Sequence, residues 1–151
     1  MERKFEFKYH KYESKEELST LDAALLHEAF EATTRSFAPY SKFKVGAAAR
    51  LSSGEIVYGT NIESEVYPAG ICAERNLLFM AATNYPDDTI ESLAIASSPG
   101  QRECSPCGFC RQSLLDAERR QGSPIRVIMG SESSATIVES AEMLLPFSFV
   151  L

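Results

Sequence analysis

Apolar side chains recur at Leu21, Leu25, Leu26, Ala29 and Phe30, the spacing of one face of a helix. The pattern Ser19-x-x-Asp22 caps the start of that helix, and Pro39 ends it. From Phe43 to Asn61 the period changes: two apolar runs, VGAAARL and IVYGTNI, flank the turn Ser52-Ser53-Gly54 and predict a β-hairpin. Residues Ile71 to Thr83 are apolar nearly all round and predict a buried helix. Leu93 to Ala96 then reads as a short core strand. A third helix opens at Pro106 and runs to Gln121, with Arg119 and Arg120 at its negative end and Gly122 and Pro124 behind them. Ile125–Met129 and Thr136–Val138 close the series as strands, followed by a C-terminal segment from Glu142 to Phe149.

The order α, β, β, α, β, α, β, β predicts an α/β fold, a three-layer α/β/α sandwich around a mixed five-stranded sheet. The catalytic domain is expected over residues 19–151, preceded by an extension of residues 1–18. In that extension Phe5, Phe7 and Tyr9 alternate with Glu6 and Lys8 at strand period, which fits either an edge strand laid on the domain or a loose tail.

A chain of 151 residues has the length of one domain and buries about 70% of its unfolded surface, so it needs neither disulfides nor a structural metal to fold. Any metal is then expected to serve chemistry. With 44% hydrophobic and 24% charged residues the chain falls outside the disordered, collagen-like and coiled-coil classes. Fifteen basic against 21 acidic residues give a net charge of −6, which opposes a nucleic-acid partner. The longest apolar stretch, Leu77 to Ala82, is far short of a membrane span, and Met1 to His10 has no apolar signal region, so a cytoplasmic protein without a membrane partner is expected. In that compartment four cysteines point to metal or catalysis rather than to disulfides.

Three of those cysteines fall at helix starts. Cys107 and Cys110 are three apart in Pro106-Cys107-Gly108-Phe109-Cys110, share a helical face and can chelate one ion. Cys72 supplies a third thiolate if the two helices bring their N-termini together. Three protein ligands with an open fourth position is the arrangement of catalytic zinc. Glu74, two residues after Cys72, can lean over the same N-terminus and reach that open position without ligating, as a proton shuttle must. Zinc with three thiolates carries a formal −1, and two helix N-termini at roughly +0.5 each bring the local sum to about zero. Arg75 can add hydrogen bonds to the sulfurs. The two histidines, His10 and His27, have no partner pattern for a nucleophilic triad.

At Cys72-Ala73-Glu74 and Pro106-Cys107-Gly108-Phe109-Cys110, followed by Arg111-Gln112, the sequence resembles the zinc-dependent cytidine deaminases, in the small homotetrameric form that binds one zinc per subunit through three cysteines. The resemblance covers about residues 20 to 149. It implies Cys72, Cys107 and Cys110 as ligands, Glu74 as the general acid and base, and Gln112 beside Arg75 as a residue supporting the metal site. Ala38 to Gly46 looks like the family's stretch whose phenylalanine packs on the pyrimidine ring, which gives Phe43 that role. Asn61-Ile62-Glu63 looks like the pair that grips the ribose hydroxyls, and an amide with a carboxylate supplies both donors and acceptors for a sugar. By the same resemblance Ala73 presents backbone to the base edge, and Tyr67 and Phe149 complete a neighbouring subunit's site. Leu144-Leu145-Pro146 resembles the family's C-terminal motif, whereas Asn76 stands where the family usually has a small hydroxyl residue.

What the resemblance implies is hydrolytic deamination of cytidine and 2′-deoxycytidine to the uridines with release of ammonia, in pyrimidine salvage. Two other readings stay open. One is deamination of a modified cytosine nucleoside such as blasticidin S, whose deaminases share the Cys-Ala-Glu and Pro-Cys-x-x-Cys runs; Asn61 and Glu63 argue against it. The other is a zinc-stabilised module without catalysis, which needs a closed site with Cys104 as the fourth thiolate.

Overall fold

The computed structural model describes residues 1–151. Six strands and three helices alternate along the chain: β1 (His10–Tyr12), α1 (Thr20–Ala32), β2 (Lys44–Leu51), β3 (Ile56–Thr60), α2 (Ala73–Asn84), β4 (Ile90–Ser98), α3 (Gly108–Gln121), β5 (Arg126–Gly130) and β6 (Ala135–Val138). The strands form one mixed sheet in the order β1-β6-β5-β4-β2-β3, with a parallel β4–β5 pair and all other neighbours antiparallel. Period-two alternation divides the core between its faces. Ala47, Ala49, Leu93, Ile95, Val127 and Met129 face α2 and α3, while Ala48, Ala94, Ala96 and Ile128 face Leu25, Leu26 and Ala29 of α1. The result is the expected three-layer sandwich.

The sheet has six strands, not the five expected. The added strand is β1, in register with β6 from His10 opposite Ile137 to Tyr12 opposite Ala135. It lies just beyond the alternating Phe5, Phe7 and Tyr9, half-exposed rings of which Phe7 stacks on Tyr9 and Phe5 tilts against Phe7. Aromatic alternation marked an extended chain, but the free edge of β6 selects the residues that pair.

Two helix faces also differ from the apolar pattern. Ser19 caps α1 as expected, accepting from the Asp22 N–H at 3.1 Å. Leu21, however, is 63% exposed and Asp22 is buried, because Asp22 pairs with Arg126 of β5. On α2, Phe79 faces outward, so that helix buries one side rather than its whole circumference. The third helix ends where its signals put it, with Gly122 in the left-handed region at φ 71°.

Topology places the site. Strands β3 and β4 both run antiparallel to β2 and are therefore parallel to each other. Helices α2 and α3 follow those two strands on the same face, so both begin at one end of the sheet. Gly59 permits the close fit: a Cβ there would lie 2.3 Å from the Ala73 carbonyl oxygen at the start of α2. The Asn76 amide completes it by donating to the Thr60 carbonyl at 3.0 Å.

Candidate metal centre and active-site cavity

Cys72 and Cys107 are the N-cap residues of α2 and α3, each in extended backbone, and neither side chain caps its own helix. Cys110 lies in the first turn of α3, fully buried. The three sulfurs converge, all within 4.8 Å of one another. Cys72 and Cys107 are 3.9 Å apart and Cys107 and Cys110 are 3.5 Å apart. Tetrahedral zinc with bonds of about 2.3 Å holds its sulfurs roughly 3.8 Å from one another. The donor set therefore fits zinc in both chemistry and spacing, and the three cysteines are positioned to bind it. The cluster lies at the starts of both helices, whose first-turn N–H groups have no acceptor within the helix.

The electrostatics favour a thiolate before any metal arrives. Hydrogen bonds from Cys110, and behind it from Arg75 and Cys107, draw the Cys72 thiol down to about 5. Cys110 moves the opposite way, because its proton is held against the Cys72 sulfur. The Arg75 guanidinium lies 3.8 Å from the Cys72 sulfur and 5.7 Å from the Phe109 ring.

Cys104 is outside the cluster. It packs against the core, and burial, with the Glu74 charge behind it, pushes its thiol up to about 12. The closed four-thiolate site that a purely structural zinc requires is not formed.

Glu74 is 4% exposed, in the first turn of α2 and on the wall of a cavity of about 710 Å³. Burial pushes its carboxyl up to about 7, and the neighbouring Cys72 charge adds to the effect. Phe43, Asn61, Glu63, Tyr67, Cys72, Arg75 and Cys107 line the same cavity, whose volume is that of a small-molecule site. Asn61 is held from three sides: its Oδ1 accepts from the Val45 N–H at 2.8 Å and from the Ser36 hydroxyl, and its Nδ2 donates to the Phe43 carbonyl at 2.9 Å. Glu63 accepts from the backbone N–H of Tyr40 at 2.8 Å and of Ser41, and from the Ser41 hydroxyl. The Ser41 hydroxyl bond, with these N–H groups behind it, holds the Glu63 carboxyl below the usual range.

The remaining positions lie around this core. Ala73 is buried as the first residue of α2. Gln112 is directed away from the sulfurs, exchanging hydrogen bonds with the Phe149 backbone at 3.2 and 3.3 Å. Phe149 lies outside the cavity at 67% exposure, and Tyr67 stands at its rim at 81%. Sequence reasoning passed over Ser36 and gave no role to Ser41 and Arg111, which stand inside its motif stretches. Arg111 braces the cysteine turn by donating to the Pro106 carbonyl at 2.9 Å and to the Leu144 carbonyl at 3.2 Å. Each is an ordinary turn or helix residue in sequence, and its partners are 5 to 33 positions away.

An α/β/α sandwich whose two helix starts present three convergent cysteine sulfurs beside a buried glutamate defines a zinc-dependent hydrolase class. Residues 19–122 match the family model for the cytidine and deoxycytidylate deaminase zinc-binding region, and the chain belongs to that family. It is 37% identical over 92 residues to the cytidine deaminase of Halalkalibacterium halodurans, a match spanning 61% of this chain and 68% of that protein. Among solved structures it resembles cytidine deaminase from Burkholderia pseudomallei, with a TM-score of 0.72 at 30% identity, covering 87% of this chain and 100% of the other. Cytidine deaminase from Mycobacterium tuberculosis gives a TM-score of 0.69 at 30% identity, covering 85% and 96%.

Proposed function

We propose that the protein hydrolyses the exocyclic amine of cytidine and 2′-deoxycytidine, consuming water and releasing uridine or 2′-deoxyuridine and ammonia. One observation carries the reading: three convergent sulfurs and a buried carboxyl share one cavity with an amide and a carboxylate suited to a sugar. Cys72, Cys107 and Cys110 hold the zinc, which when bound supplies Lewis acidity to the attacking water.

The chain's own groups do the rest. Glu74, in the first turn of α2, takes a proton from that water, passes it to ring nitrogen 3 and later helps protonate the departing amine. Its burial keeps solvent from competing for the proton. Phe43 lies on the pyrimidine ring, Ala73 offers its free helix-start N–H or carbonyl to the base edge, and Asn61 and Glu63 take the sugar. Asn61 has one N–H left after its three fold contacts, so it serves the sugar as a donor. Arg75 tempers the charge on the Cys72 sulfur. Gln112 supports the site at one remove, by fixing the segment that carries Phe149.

Tyr67 and Phe149, both exposed on the isolated chain, complete the site of a neighbouring subunit in a homotetramer. Light scattering should then give a particle four times the mass of the chain. The protein works in the cytoplasm, within pyrimidine salvage. No helix is long and apolar enough to cross a membrane.

Asn61 and Glu63 favour an unmodified nucleoside over blasticidin S. Rates on the two substrates should differ by at least tenfold in kcat/KM in favour of cytidine, and the reverse preference would replace this substrate assignment.

A further inference from the structure

Between the base and sugar ends of the cavity runs the turn Tyr40–Phe43, and one serine touches both ends. The Ser41 hydroxyl donates to Glu63 and accepts from the Phe43 backbone N–H at 3.0 Å. Lys42, between them, has φ 60°, a left-handed conformation that a residue with a side chain keeps only where its surroundings over-determine it. The contacts on either side of Lys42 do so. Glu63 accepts from the Tyr40 and Ser41 N–H groups and from the Ser41 hydroxyl, while Asn61 holds the Phe43 carbonyl.

A carboxylate offers about four acceptor directions. The turn takes three of those on Glu63 and leaves one for a ligand hydroxyl. A carboxylate without those bonds would rotate more freely, and its sugar contact would have to be ordered anew at each binding event.

We propose that Ser41 is a positioning residue: its single hydroxyl sets the Glu63 carboxylate and the Phe43 backbone together, so that the sugar and base contacts are fixed relative to each other before substrate arrives. The assignment rests on the proposed roles of Phe43 and Glu63. Ser41 belongs to the β2 approach rather than to α2 or α3, which carry Glu74 and the thiolates. Its loss therefore weakens binding and spares the chemical step.

Steady-state kinetics on the zinc-loaded protein tests this. Ser41→Ala should raise KM for cytidine about tenfold with kcat within about twofold of wild type. Ser41→Thr, which keeps the hydroxyl at an exposed position, should return KM to within about threefold. In a Glu63→Ala background, where the turn has already lost its anchor, adding Ser41→Ala should change KM by less than twofold.

An unchanged KM in Ser41→Ala, a loss that Thr does not rescue, or a full penalty in the Glu63→Ala background would each overturn the assignment. So would a Ser41→Ala chain that fails to fold, since the hydroxyl would then be a stability element. A zinc-loaded wild type inactive on cytidine would overturn the functional reading and this assignment together, whereas an active wild type indifferent to Ser41 would overturn this assignment alone.

Discussion

Four thiols within one end of this molecule are sorted by their neighbours. Cys72 sits at a helix start beside Arg75 and two other sulfurs and is drawn toward the thiolate, whereas Cys104, packed against the core next to Glu74, is pushed to about 12 and stays protonated at neutral pH. A metal held by the three convergent cysteines alone would keep an open position. Cys107→Ala should leave less than about one tenth of the zinc measured by atomic absorption, while Cys104→Ser should retain the full complement. Loss of metal from Cys104→Ser would restore the closed-site alternative. At this scale much was legible in the sequence, because Cys72, Glu74, Cys107 and Cys110 are grouped in two short runs and helix geometry converts their spacing into direction. Ser41 was not legible: its partner Glu63 lies 22 residues away, and nothing in a Pro-Tyr-Ser-Lys turn shows which carboxylate folds over it.

Elements bring those residues together through a few close approaches. Gly59→Ala would force a methyl against the Ala73 carbonyl, and overpacking of this kind costs about 1–3 kcal/mol. The variant should melt several degrees lower and bind zinc less tightly, since the backbone that must shift is the one carrying Cys72. An unchanged melting temperature would show that α2 gives way without consequence. At the opposite sheet edge, Glu103 receives Lys11 of β1 together with the Ser134 and Thr136 hydroxyls at 2.7 and 2.6 Å. Burial works against the Glu103 charge, but these bonds outweigh it and hold the carboxyl below its ordinary value. A lowered carboxyl adds stability that is complete above its unfolded pKa of about 4.3 and disappears as pH falls through the folded value. Wild type should thus melt above Glu103→Gln at pH 6, with the difference closing below about pH 4; a constant difference would remove Glu103 as its source. The first helix and the hairpin were legible from period and turn signals, the second helix from its apolar run, and the third from Pro106 at its start and Gly122 at its end. β1 was displaced from the aromatic alternation because pairing depends on which edge of β6 is free, and Leu21 misled because an apolar residue at helical spacing is indistinguishable from its neighbours until Asp22 is seen to pair with Arg126.

For the whole molecule, the decisive feature is that two parallel strands, β3 and β4, deliver two helix starts to the same end of one sheet, and the three convergent cysteines and the buried Glu74 gather there. Order along the sequence predicted the layers; that Tyr67 and Phe149 stand exposed could not be read from it, because neither belongs to a periodic run. Under the proposed function the chemistry turns on Glu74, and a proton shuttle of this kind contributes roughly 10²–10⁴-fold to rate. The most direct test is the ultraviolet-monitored conversion of cytidine to uridine by wild type and Glu74→Gln at equal zinc content. Steady turnover by wild type that falls at least a hundredfold in the variant is the predicted result; equal turnover by the two, or none by a folded and zinc-loaded wild type, would contradict the account.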